Sequence, residues 1–223
     1  MTDNALSAAA ALAKLLAGNQ RFVDGQPKHP NQDAHRRTQV ANGQKPFALI
    51  FGCSDSRVAA EIIFDRGLGD LFVVRTAGHI VDNGVLGSIE FGVDLLEIPL
   101  IVVLGHGGCS AIGSTVEAHS TGLIPTGAVR HVVELVMLSV LTARRAGVVS
   151  VDGVVAEHAQ ETAVQLAERS KAIADRIADG RCAVVAMEYT LAEGQVRVLT
   201  TIGDVGTSVR PFAVAAEPAS DPA

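Results

Sequence analysis

Four stretches of the chain are apolar without interruption and stop at a glycine or a polar turn. Phe47–Gly52, Leu71–Val74, Leu100–Gly105 and Ala183–Met187 read as strands buried on both faces, because a strand with one wet face alternates instead. Val196–Thr200 does alternate and follows the Glu193-Gly194 turn, so it reads as an antiparallel edge strand paired to the fourth. Helical spacing fills the intervals. Leu6, Ala9, Ala10, Ala13 and Leu16 mark a helix ending near Gly18, and a short one fits 33–42. Further helices are expected over 84–97 and 107–118, and another carries Val129, Val132, Val133, Val136, Met137, Val140 and Leu141 on one face. A single long helix is expected from about Val154 to Ala178, with Gly180 ending it.

Buried strands alternating with helices predict an α/β fold. Its sheet is mainly parallel and four-stranded, with an added antiparallel edge strand, helices on both faces and an N-terminal helical arm. The polar stretch Asp24–Gln32 reads as a linker around the body or onto a partner. Residues 1–212 are expected to form one domain, of which 1–32 are arm and linker. The Ala/Pro-rich segment 213–223 carries no core pattern and is expected to be a disordered tail.

Composition narrows the function classes. With 48% hydrophobic residues in 223, wholesale disorder is excluded. Aromatics are only 4% and Trp is absent, so the core is aliphatic and stacking platforms for single-stranded nucleic acid are missing. A net charge of −6 draws the chain to neither nucleic acid nor anionic membrane. No apolar run approaches the ~20 residues that span a bilayer. Ala5–Leu16 lacks the basic start and cleavage site of a signal peptide. Three cysteines, an odd number, make no disulfide framework. A cytoplasmic protein is expected, and its cysteines need another reason to be there.

Two of the buried runs end in reactive residues. The first passes into Cys53-Ser54-Asp55-Ser56-Arg57, the third into Gly105-His106-Gly107-Gly108-Cys109. In an open parallel sheet, ligands bind beyond the carboxyl ends of the strands where strand order reverses. If the first and third strands are neighbours, Cys53 meets His106 and Cys109 there. His and Cys three apart on an opening helical turn face one side. Two thiolates and an imidazole suit Zn²⁺, and Asp55 supplies a fourth ligand or leaves that position to water. On spacing alone the set is either catalytic or a purely structural Cys₂-His-Asp zinc site. Arg57 beside Asp55 and the glycine-rich approach favour the first. Cys182, at the mouth of the fourth strand, reads as a small buried hydrophobe.

Together these motifs resemble the β-class carbonic anhydrases. The resemblance runs from Gly18-Asn19-x-Arg21-Phe22 through Gly43-Gln44-Lys45-Pro46 to the last strands. It implies reversible hydration of carbon dioxide to bicarbonate and a proton by a zinc-bound hydroxide, with one zinc per chain on Cys53, His106 and Cys109. Asp55 and Arg57 would form the family's dyad, in which Asp55 either orients the hydroxide or rotates onto the metal and closes the site. Gln44 and the backbone N–H of Ser110 would donate to bicarbonate, and Phe72, Ala77 and Phe91 would form the apolar CO₂ pocket. For Phe72 and Phe91 plain core packing is an equal alternative. The implied assembly is a homodimer or homotetramer with sites near the subunit interface, and neither nucleic acid nor membrane is a partner.

Several positions depart from the commonest family pattern. Thr76 and His79 stand where many members have Asn, Phe91 replaces a frequent Tyr, and Ser110 replaces a Gly. Ile50 stands where members with a second, regulatory bicarbonate site carry Trp, although Arg75 and Tyr189 remain. His79 reads as a proton shuttle or a hydrogen-bonded loop histidine, and His131 and His158 as partly buried packing residues. His29, His35 and His119 read as solvent-exposed. Two other functions compete with CO₂ hydration: hydrolysis of CS₂ or COS on the same fold, and catalytically silent zinc or bicarbonate binding.

Overall fold

The computed structural model describes residues 6–206, so the expected tail at 213–223 lies outside the described residues. Among the described residues, eight α-helices and five strands follow in the order α1 (Ala8–Val23), α2 (Ala34–Gln39), β1 (Ala48–Cys53), α3 (Ala60–Ile63), β2 (Leu71–Thr76), α4 (Asn83–Asp94), β3 (Leu100–His106), α5 (Ser110–Thr121), α6 (Val129–Arg145), α7 (Val151–Arg169), α8 (Lys171–Ala178), β4 (Ala183–Tyr189) and β5 (Val196–Ile202). The strands form one sheet in the order β2-β1-β3-β4-β5. Four are parallel, and β5 runs antiparallel to β4.

The expected architecture is therefore present, and burial explains it. Every residue of β1, β3 and β4 is buried, whereas the edge strand β2 is only half-buried. Alternate residues of each central strand face two aliphatic layers. Ile50, Val102 and Val185 pack towards α1 and α3, while Leu49, Ile101 and Val184 pack towards α4 and α7. Among the described residues, no helix is long and apolar enough to cross a membrane.

Three local readings need correction. The first concerns α1, which runs through Gly18 to Val23. A Cβ at Gly18 would sit 1.9 Å from the Phe64 carbonyl oxygen. This glycine lets a continuing helix approach the neighbouring backbone rather than stopping it. The side chains beside it fix α1 to the body. Leu12 and Leu15 are fully buried, each worth about 2 kcal/mol of apolar burial. Asn19 donates to the Ile63 and Gly194 carbonyls and accepts from the Val196 N–H.

The second correction is at Ser170. The long helix expected over 154–178 is two helices, α7 and α8, because Ser170 is extended (φ −117°, ψ 111°). Its hydroxyl oxygen accepts from the Ile173 N–H to cap α8 and donates to Glu90. The third concerns α6, whose buried stripe is Val133, Val136, Val140 and Ala143, with Val129 and Leu141 exposed. The short helix α3 had no counterpart in the sequence pattern.

Candidate metal centre

The topology places the reactive residues where the sheet changes direction. β1 lies between β2 and β3, with Gly52 opposite Leu104, so the carboxyl ends of β1 and β3 open on one crevice. Cys53 is the last residue of β1 and His106 the last of β3. Cys109 is not on an opening helical turn with His106. It is the N-cap of α5, reached through the Gly107-Gly108 turn, with Gly108 at φ +60°. The approach of histidine and cysteine therefore comes from a left-handed glycine turn.

The Cys53 and Cys109 sulfurs are 3.9 Å apart, and with a His106 ring nitrogen the three donor atoms lie within 4.8 Å of one another. Two sulfurs on a tetrahedral zinc at ~2.3 Å would be ~3.8 Å apart, whereas a disulfide needs ~2.05 Å. His106 Nδ1 lies 3.0 Å from the Gly107 carbonyl oxygen. A carbonyl only accepts, so Nδ1 carries the proton and the Nε2 lone pair is free. Nε2 is buried without a hydrogen-bond partner. Two thiols at zinc spacing and an orphaned imidazole nitrogen fit a tetrahedral thiophilic cation.

Electrostatics favour the charged donor set. The hydrogen bond with Cys109 leads in pulling the Cys53 thiol well below its ordinary value, against its burial, with help from His106 and the Gly78 N–H. Cys109 is correspondingly pushed up, first by Cys53 and then by burial. One thiol of the pair thus ionises readily, and a divalent cation would favour ionisation of both. Burial of His106 works against its protonation, but the Cys53 thiolate beside it overrides this and the net shift is upward.

Asp55 stands beside this group, not in it. Arg57 donates from Nε to Oδ1 at 2.9 Å and from Nη2 to Oδ2 at 2.7 Å, and its backbone N–H also reaches Oδ1. This fork, led by the Arg57 side chain, holds the Asp55 carboxyl well below the usual carboxylate range. The fourth-ligand role considered for Asp55 is not the arrangement seen. Arg57 also donates to the Gly108 carbonyl at 3.3 Å, joining the two motifs.

Two supports were not apparent in the sequence. Arg75 of β2 donates to the Cys53 and Asp55 carbonyls at 2.8 and 2.6 Å, fixing the turn after β1. Asp152, in the first turn of α7, accepts from the Gly108 N–H at 2.8 Å. The Asp152–Gly108 contact spans 44 residues, which no local pattern reveals.

The candidate substrate residues divide. Ala77 follows Thr76, the partner of Cys53 in the sheet, and Ser110 begins α5; both are exposed beside the sulfur–imidazole group. Gln44, Phe72 and Phe91 lie elsewhere. Gln44 is exposed just before β1 begins. Phe72 is opposite Leu49, whereas Cys53 is opposite Thr76; at ~3.3 Å per residue that puts Phe72 ~13 Å away along the strands. Phe72 stacks on Phe91 with centroids 6.2 Å apart, and Phe91 is 45% exposed. This is a half-exposed pair at the sheet edge, with Phe72 packed on the core cluster beneath it.

The histidines also redistribute. His79 is fully buried, neither ring nitrogen has a hydrogen-bond partner, and burial holds its pKa well below the ordinary value. That removes the shuttle reading, and the hydrogen bond of the alternative reading is absent too. His158 is buried and hydrogen-bonded at both nitrogens, while His131 is exposed, like His29, His35 and His119. Cys182 is buried as expected, and burial pushes its thiol up to about 12.

Comparison with known proteins gives a consistent result. The family profile described as carbonic anhydrase matches residues 48–196. A carbonic anhydrase of Mycolicibacterium smegmatis is 53% identical over 197 residues, covering 88% of this chain and 96% of that protein. Carbonic anhydrase 2 of Mycobacterium tuberculosis is 52% identical over 200 residues, covering 90% and 97%. Among solved structures, the Coccomyxa β-carbonic anhydrase superposes with a TM-score of 0.69 at 26% identity, covering 86% of this chain and 88% of that one.

Proposed function

The chain belongs to the β-class carbonic anhydrases and catalyses the reversible hydration of carbon dioxide, and from that premise we propose how its residues divide the work. Cys53, His106 and Cys109 hold one zinc ion per chain, Asp55 and Arg57 act on the attacking water, and a second copy of the chain completes each site. The observation that carries this reading is the orphaned His106 Nε2 beside two thiols at zinc spacing, with the Asp55–Arg57 fork next to them.

Zinc bound there supplies a Lewis acid that eases the ionisation of water, less strongly between two thiolates than between three neutral imidazoles. The protein's own contribution is orientation. Asp55 is an anion whose position Arg57 fixes, so it accepts a hydrogen bond from the attacking water and turns a lone pair towards CO₂. Arg57 keeps that carboxylate from competing for the metal. Ser110 offers its backbone N–H at the start of α5, where a helix favours an anionic product. Ala77 leaves room beside the metal ligands.

Gln44, Phe72 and Phe91 act from the second copy. Phe72 cannot reach the same chain's metal group across ~13 Å of strand; it stacks on the half-exposed Phe91 of α4, and Gln44 is exposed ahead of β1. A symmetric pairing about that edge gives each crevice the other copy's Phe72 and Phe91 as apolar wall and its Gln44 as donor. Three unpaired, buried cysteines suit a reducing compartment, and we place the chain in the cytoplasm. Both ligand motifs and the dyad are intact, which disfavours silent binding. CS₂ or COS hydrolysis is not favoured by the relatives.

The test is stopped-flow CO₂ hydration with zinc analysis on the unmutated protein and Arg57→Ala. The expected result is one zinc per chain in both, with the rate in the variant reduced on the order of 10²-fold or more, a typical loss when a preorganised electrostatic group is removed. Full activity in Arg57→Ala, or a folded protein without zinc, would overturn the assignment.

A further inference from the structure

Behind the crevice lies a buried polar chain that the reaction as described does not use. Gly78 donates its N–H to Cys53 Sγ at 3.4 Å, and its carbonyl accepts from His158 Nε2 at 3.0 Å. On its far side His158 Nδ1 lies 2.7 Å from Ser139 Oγ, which also contacts Glu161. His158 and Ser139 are buried, on α7 and α6 respectively. From this geometry we infer that His158 is a positioning residue for the metal centre. It fixes the Gly78 carbonyl, and through Gly78 the N–H that holds the Cys53 sulfur.

The reason lies in the residue between the two hydrogen bonds. Gly78 has φ +66°, and a Cβ there would lie 3.1 Å from the Ala111 Cβ, so this turn against α5 favours glycine. Glycine is also the residue whose φ and ψ are least restrained by its own covalent structure. Only those two angles separate the N–H on the sulfur from the carbonyl on His158. An external anchor on the carbonyl therefore limits where the N–H can point.

The imidazole is suited to that task. A carbonyl cannot donate, so Nε2 carries the hydrogen, and burial, pulling the His158 pKa down to about 4, keeps the ring neutral at pH 7. Nδ1 meets the Ser139 hydroxyl at 2.7 Å, and this contact pins the ring plane from α6. The nearest ring, His79, packs at 4.5 Å between centroids and makes no hydrogen bond to it.

This inference rests on the zinc reading above, and its test reads the metal rather than turnover alone. Zinc-loaded protein is challenged with excess chelator at pH 7, and the cobalt-substituted form is examined for its thiolate-to-metal absorption. His158→Phe removes the donor but keeps an aromatic ring, and His158→Gln keeps an Nε2 donor. Release should accelerate about tenfold or more in His158→Phe, the scale seen when ligand-supporting partners are lost, and its cobalt band should shift. His158→Gln should restore release to within about threefold of the parent. Ser139→Ala should move both readouts the same way by less, and it carries the decision if His158→Phe does not fold. Unchanged release and absorption in the folded variants, or equal losses in Phe and Gln, would make His158 a packing residue and overturn the inference. A parent protein that holds no zinc would refute the metal assignment itself, a different failure.

Discussion

The two ends of the parallel strands differ in how completely one chain builds them. At the carboxyl end, Cys53, Asp55, Arg57, His106 and Cys109 are tied to one another and to the backbone by Arg75, Asp152 and the Gly78 peptide. At the amino end, Phe72 on the edge strand β2, Phe91 on α4 and Gln44 ahead of β1 stay partly or fully exposed. On the proposed reading, the first end is finished by folding and the second by association. Rigid metal and dyad geometry needs buried, directional partners, whereas an apolar wall needs only a surface to close against it.

The contrast can be broken most severely at the finished end. Cys109→Ala should abolish stoichiometric zinc binding and reduce CO₂ hydration by about 10³-fold or more, because a two-ligand site binds zinc weakly. Metal analysis beside stopped-flow rates checks this, and zinc at one per chain in that variant would contradict it.

The next effect is on stability, and it probes how dry the support behind the crevice is. His158 has a folded pKa of about 4, below its unfolded value near 6.5. Above pH 6.5 both states are neutral at this residue and its full contribution is present. As pH falls from 6.5 towards 4, the unfolded chain takes up a proton that the folded one does not. Stability should then drop by up to about 3 kcal/mol from this residue, read as a falling denaturant midpoint. His158→Gln should flatten that slope; an identical slope would place its origin elsewhere.

Smaller losses separate the two ends further. Asp152→Ala frees one side of the Gly108 turn and should lower kcat/KM about tenfold with zinc retained, the scale of a lost charge-assisted hydrogen bond. Phe91→Ala should leave zinc content unchanged but weaken self-association by about tenfold, since a half-exposed aromatic contributes roughly 1–2 kcal/mol at an interface. Sedimentation at graded concentration measures this, and an unaltered dimer would move the interface off the β2 edge.

Legibility in the sequence follows the same division. Uninterrupted apolar runs reported β1, β3 and β4 because all their residues are buried, and reactive residues directly after two of them located the cysteine–histidine group. What stayed hidden depends on distance or on dual-use residues. Ser170 suits a helix interior as well as a cap, and the apolar period continues across it, so α7 and α8 read as one. Gly18 looked like a stop because a close backbone approach leaves no trace in the local pattern. Asp152, Ser139 and His158 act on residues 44, 19 and 80 positions away. The separation of Phe72 from Cys53 became visible only with the β1–β2 register.

In the proposed assembly, the metal ligands of one copy work with the aromatic pair and amide of another. The direct measurement is complementation. Cys109→Ala, which retains Gln44, Phe72 and Phe91, is co-assembled with a Gln44→Ala/Phe72→Ala double variant, which retains the metal ligands. Each inactive homodimer should yield mixed dimers with one intact crevice, and CO₂ hydration per mixed dimer should recover towards half that of the unmutated dimer. Mixed dimers as inactive as their parents would show that each chain builds its site alone.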